Sequence, residues 1–159
     1  MIKGINARKI LLKSGRIIDP FSKKTFNGDL LIESGKISKI SDSISTKGKD
    51  YKVINCKGLV VTHGFCDMHV HFREPGREDK ETLESGSYSA LAGGFTQVCT
   101  MANTNPGIES PENIHYIVSK SQKLPIDIFP IGAVSKGMKG EELTEMLLKK
   151  KNGAIAFSD

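Results

Sequence analysis

Gly64-Phe65-Cys66-Asp67-Met68-His69-Val70-His71-Phe72-Arg73-Glu74-Pro75-Gly76 is the stretch on which fold and chemistry both turn. It closes an apolar, strand-like run over residues 59–72, and Glu-Pro-Gly then stops the strand with a turn. Alternate side chains of a strand share a face. The spacing therefore predicts that Asp67, His69 and His71 point together, with Cys66, Met68 and Val70 on the other side. On that parity Cys66 packs outward against helices. Two imidazoles at i, i+2 can reach one metal ion, and Zn2+ suits nitrogen donors best. A His-x-His pair also arises as two satisfied core histidines, so the pair alone leaves both open. The Asp two residues earlier and the tight turn after the strand favour the metal. His63 stands out of the pattern and His115 falls in a helical segment, so neither joins the candidate set.

Downstream of this strand, helical and extended segments alternate. Residues 80–92 have helical propensity, and 95–101 are apolar and β-branched. Ser110-Pro111-Glu112 opens a helix: Ser caps the free amides, Pro suits the first turn and Glu complements the dipole. Its apolar stripe is Ile114, Ile117 and Val118. A strand follows over 126–134. Glu141-Glu142 begin a third helix that ends in Lys149-Lys150-Lys151 with Gly153 as cap, and a fourth strand covers 154–158. Units of roughly 30 residues in this order mean parallel βα architecture. Upstream there is no helical pattern. Short strands are predicted over 9–14, 16–18, 29–33, 36–40 and 51–55, and Ser34-Gly35 is a two-residue hairpin signal. The chain therefore divides into a small all-β module over 1–58 and an α/β part over 59–159. The second part has about four strands and three helices, half of an eightfold barrel.

Composition narrows the class. The 159 residues are 38% hydrophobic and 26% charged, which is globular and neither collagen-like nor low-complexity. No apolar run reaches the length of a membrane span, and residues 1–6 predict no signal peptide. Cys56, Cys66 and Cys99 are odd in number and form no CxxC pair, which favours a reducing, cytoplasmic setting over a disulfide scaffold. Residues 1–58 hold 13 Lys and Arg against 5 Asp and Glu, a net of +8. Residues 59–159 hold 10 against 13, a net of −3. The basic excess is scattered through turns without interleaved aromatics, a solvated surface and no nucleic-acid track.

The run from Gly64 to Gly76 resembles the signature of cyclic amidohydrolases in the metal-dependent amidohydrolase superfamily, and type I dihydroorotases in particular. Ala92-Gly-Gly-Phe-Thr-Gln-Val-Cys-Thr-Met-Ala-Asn-Thr-Asn-Pro106 is similar to that family's "AGGFTTV…MPNTNP". Ser135-Lys-Gly-Met-Lys-Gly-Glu-Glu-Leu resembles its "TKGxKGxEL", and Ala156-Phe-Ser-Asp159 its "AFTDDG". The resemblance implies a (β/α)8 TIM-type barrel with a small β-sandwich assembled from both chain ends. It implies the reversible, zinc-dependent cyclisation of N-carbamoyl-L-aspartate to L-dihydroorotate in pyrimidine biosynthesis, with one or two ions. His69 and His71 match the metal pair, and His71, Arg73 and Asn103 match positions that hold substrate. A guanidinium forks onto a carboxylate through two charge-assisted bonds, and an amide adds a donor.

Two departures from the family pattern stand at His63 and Ala102, where it usually has Pro, so the loop presenting Asn103 is expected to be looser. A whole barrel takes about 250 residues. The resemblance therefore implies an N-terminal fragment, inactive alone, whose remaining His ligands and general acid/base Asp lie beyond residue 159. Asp159 would be the first of the family's doubled acidic pair, and the next residue the bridging ligand. Two nearby activities compete within the fold. Hydantoinases (dihydropyrimidinases) usually carry a modified Lys where an acidic residue stands here, and allantoinase has no ring carboxylate to demand Arg73. A non-catalytic scaffold for aspartate carbamoyltransferase would be expected to have lost its metal ligands. A homo-oligomer or an association with that enzyme is the expected assembly.

Overall fold

Described in the computed structural model are residues 9–159; residues 1–6, read above for a signal peptide, lie outside them. The first strand, β1 (Lys9–Asp19), runs through the point where the sequence suggests two strands. A bulge between Leu12 and Gly15 absorbs the break, and Ser14 takes a left-handed φ of 60° there. The buried Asp29 carboxylate holds that bulge. It accepts from Ser14 N at 2.8 Å, Ile44 N at 2.8 Å and Lys13 Nζ at 3.2 Å. The strands β2 (Lys24–Glu33) and β3 (Lys36–Ser41) form the predicted hairpin, with Ser34 and Gly35 both at positive φ. With β4 (Tyr51–Asn55) and β5 (Val60–Val61) they make one five-stranded sheet in which β4 and β5 run parallel to β1. Leu11, Leu31 and Ile44 form its small core.

The apolar run over 59–72 is two strands in two sheets. Val60–Val61 completes the first sheet, and the chain divides into two compact units between His63 and Gly64. Apolarity reports that a strand is buried, not which sheet it joins.

The second unit begins with β6 (Phe65–Val70), followed by α1 (Leu83–Ala92), β7 (Phe95–Thr100), α2 (Pro111–Ser121), β8 (Asp127–Gly132), α3 (Met146–Lys151) and β9 (Ala156–Phe157). Its four strands are parallel and ordered β6-β7-β8-β9, with a helix after each of the first three. This is the first half of a (β/α)8 barrel, as expected. Thr82 and Ser85 close a capping box on α1, and Ser110 caps α2 ahead of Pro111. The core between helices and sheet is built from Leu83, Val98, Ile114, Ile117, Ile126 and Ile128. Among the described residues no helix is long and apolar enough to cross a membrane.

The third helix differs from expectation. It starts at Met146, not at Glu141. Residues 141–145 are drawn instead into tertiary pairing: Leu143 bridges Ser135, and Thr144 N donates to Val134 O at 2.9 Å. Lys149, in the last turn of α3, does not share the exposure of Lys150 and Lys151. It is fully buried, its ammonium donating to Ala133 O and Thr144 Oγ1 and standing 5.2 Å from the Phe157 ring centroid. Burial pulls the pKa of its amine below the ordinary lysine value.

Candidate metal centre

The strand that carries the histidines is irregular, and its irregularity decides what it presents. Cys66 pairs with Gln97 and Asp67 with Val98, but Val70 pairs with Thr100, so three residues of β6 advance against two of β7. Val98 belongs to the helix-side core. Asp67 and Val70 accordingly line one cavity there with Phe72, Ser89, Ala90 and Val98. The extra residue turns His69 and His71 to the opposite face, at the C-terminal end of the strand, where both are exposed. Two sequence expectations are thereby corrected. Asp67 does not point with the histidines; its Oδ1 accepts from His69 N at 3.0 Å and pins the bulge. Cys66 does not pack against helices but is exposed. A strict period of two cannot survive a bulge.

The two imidazoles converge. Their Nε2 atoms lie 3.1 Å apart, with ring centroids at 5.0 Å and planes at 65°. Two nitrogens bound tetrahedrally to one zinc at about 2.0–2.1 Å each would stand about 3.3 Å apart. The pair fits the ion. Among the described residues no third His, Cys, Asp or Glu joins them.

His71 Nδ1 lies 2.9 Å from Asn103 Oδ1. Asn103 comes from the loop after β7, which reaches the histidines because it packs backbone to backbone on the loop after β6. Asn105 N donates to Pro75 O at 3.1 Å, and a Cβ at Gly76 (φ 99°) would fall 1.8 Å from Asn105 O. Only glycine permits that approach. Ala102, where a proline was expected, is buried, and its carbonyl accepts from Thr104 N and Ile108 N, closing the loop in another way.

Arg73 sits two residues beyond His71. The surface pairs available to it in sequence are otherwise engaged: Glu78 accepts from Gly76 N, and Glu74 turns inward. Among the described residues Arg73 forms no ion pair. Glu74, 1% exposed, accepts from Leu83 N at 2.8 Å, Tyr116 Oη at 2.5 Å and the Lys120 ammonium. Burial alone would raise its carboxyl pKa, but hydrogen bonds from Lys120, Tyr116 and Leu83 N outweigh it and hold the group below the usual carboxylate range. This clamp ties the Arg73 loop to α1 and α2. No local signal reveals it, because its cation stands 46 residues away.

Asp159 accepts from Ser135 Oγ at 2.5 Å, Ser135 N at 3.0 Å and Val134 N at 2.8 Å, and these bonds, the Ser135 hydroxyl foremost, lower its pKa. Its carboxylate is committed to tying the end of β9 to the segment after β8. His115 bonds Ser119 on α2 and stays apart from the pair, and the His63 ring stands 6.3 Å from that of Phe21.

The geometry can be set beside known proteins. A dihydro-orotase-like family model matches residues 58–159. The dihydroorotase of Caldicellulosiruptor saccharolyticus is 44% identical over 151 residues, 94% of this chain and 35% of that protein. That of Aquifex aeolicus is 41% identical over 152 residues, 95% of this chain and 36% of that one. The chain thus spans about a third of the length of these relatives. Among solved structures, the L-hydantoinase (dihydropyrimidinase) from Arthrobacter aurescens superposes with a TM-score of 0.78 at 23% identity, over 96% of this chain and 32% of that one, a likeness of fold.

Proposed function

The chain belongs to the dihydro-orotase-like family, and we propose that it supplies the first metal ligands and the substrate carboxylate contacts of a zinc-dependent dihydroorotase. The substrate would be N-carbamoyl-L-aspartate, closed reversibly to L-dihydroorotate in pyrimidine biosynthesis. The observation that carries this is the convergence of His69 and His71 at 3.1 Å with Asn103 on His71, inside the matched region. His69 and His71 would hold the ion, through Nε2 in each case. When bound, zinc supplies Lewis acidity toward the ring carbonyl and lowers the pKa of water. Arg73, unpaired with any carboxylate of the described residues, would fork onto the substrate carboxylate beside the Asn103 amide. The remaining ligands and the proton-transferring acid would come from outside this chain, since a catalytic zinc normally takes three protein ligands. One or two ions, a cytoplasmic location, and a homo-oligomer or a complex with aspartate carbamoyltransferase belong to the same proposal.

The hydantoinase alternative is supported by fold likeness alone, and it leaves Arg73 without a charged group to bind. The scaffold alternative is disfavoured by an intact histidine pair. In the full-length enzyme, His69→Ala and His71→Ala are each expected to abolish tightly bound zinc together with activity. Elemental analysis of the purified variants checks this, and unchanged zinc stoichiometry in both would refute the ligand assignment.

A further inference from the structure

We infer that Asn103 is a positioning residue for the metal as well as a substrate contact: its Oδ1 fixes the tautomer of His71 that can bind zinc. This rests on the reading of His71 as a ligand given above. A neutral imidazole carries one hydrogen, on Nδ1 or Nε2, and only the nitrogen without it can donate to a metal. An amide oxygen accepts and cannot donate. With Asn103 Oδ1 at 2.9 Å from His71 Nδ1, the hydrogen belongs on Nδ1 and the lone pair on Nε2. That Nε2 is the atom 3.1 Å from Nε2 of His69, so the contact orients the same nitrogen the metal needs. Hydrogen bonds of this kind from outside the ligand set typically govern metal affinity by about 10–100-fold.

The same side chain has a second end. Its amide nitrogen is not used by His71 and remains available to a substrate carboxylate, so one asparagine couples metal retention to carboxylate recognition. The two jobs separate by substitution. Aspartate keeps an acceptor for Nδ1–H but sets a negative charge against the substrate carboxylate. Leucine, of similar size, removes both.

The test uses the full-length enzyme and measures zinc affinity by competition with a chromophoric chelator, alongside KM and kcat for N-carbamoyl-L-aspartate. Asn103→Leu is expected to weaken zinc binding by about 10–100-fold. Asn103→Asp is expected to hold zinc as tightly as the wild type while KM rises at least about tenfold, the like charges opposing binding. His71→Ala serves as the control. Wild-type zinc affinity in Asn103→Leu, with affinity lost in His71→Ala, would show that Asn103 serves substrate only and would overturn the inference. Weakened zinc binding in Asn103→Asp overturns it too, and decides the matter even if the leucine variant does not fold. Wild-type affinity in His71→Ala would instead overturn the ligand assignment beneath it.

Discussion

Arg73 shows how much one residue's role depends on what its neighbours do. In the sequence, Glu74 and Glu78 follow it by one and five residues, near enough for either to form a surface ion pair. In the structure both carboxylates are engaged elsewhere, one buried against α2 and one on the Gly76 amide. A guanidinium that pairs with no carboxylate among the described residues, two residues past His71, is suited to receive one from a substrate. Arg73→Met in the full-length enzyme is expected to weaken transition-state binding of the carboxylate substrate by on the order of 2–5 kcal/mol, the range for a desolvated charge pair losing a partner. The loss is expected to be far smaller with dihydrouracil, which lacks the carboxylate. Comparing kcat/KM for the two substrates decides it, and equal losses would assign Arg73 to the scaffold.

The start of α1 is tied to the preceding loop and to α2 through one buried carboxylate, that of Glu74. Helix α1 begins where Thr82 and Ser85 cap each other, and Glu74 takes the next amide, Leu83 N. Removing the Glu74 carboxylate leaves the buried Leu83 amide without its acceptor, a loss of about 1–3 kcal/mol, while Tyr116 and Lys120 are exposed enough to rehydrate. The pH dependence follows from the sign of the shift. The folded-state pKa of Glu74 lies below its unfolded value, so the native state holds fewer protons in that window. The stabilisation is complete above the unfolded pKa of about 4.5 and is lost as pH falls through the lower, folded value. Urea midpoints of the metal-free full-length protein between pH 7 and 3 should therefore fall more steeply in the wild type than in Glu74→Gln. Parallel curves would mean that the clamp contributes nothing.

At the scale of the molecule, the second unit carries large apolar side chains that are exposed among the described residues. Met68 is 76% exposed on β6, and Leu143, Leu147 and Ile155 are exposed around α3 and β9. Among the described residues, the terminal strands of its sheet, β6 and β9, each pair on one side only. Unpaired strand edges and exposed apolar faces promote association. Residues 1–159 expressed alone are expected to be oligomeric or aggregating, with a broad melting transition and no zinc-dependent hydrolysis of dihydroorotate. Light scattering, a thermal melt and a turnover assay in added zinc test this together. A monomer with one sharp transition and metal-dependent turnover would overturn it.

The sequence by itself determined the βα rhythm, the N-cap of α2, the Ser34-Gly35 hairpin and the His69–His71 pair, because each rests on residues within a few positions of one another. Tertiary structure decided the rest. The bulge in β6 separates Asp67 from the histidines, and its register depends on β7. The start of α3 was ceded to pairing with Val134 and Ser135. The burial of Lys149, the Glu74 clamp and the Asn103–His71 contact all join groups far apart in the chain. Local pattern reports propensity and periodicity. Which buried polar group meets which partner is settled only when strands and helices have packed, since an unpaired buried group costs more than a local preference can offset.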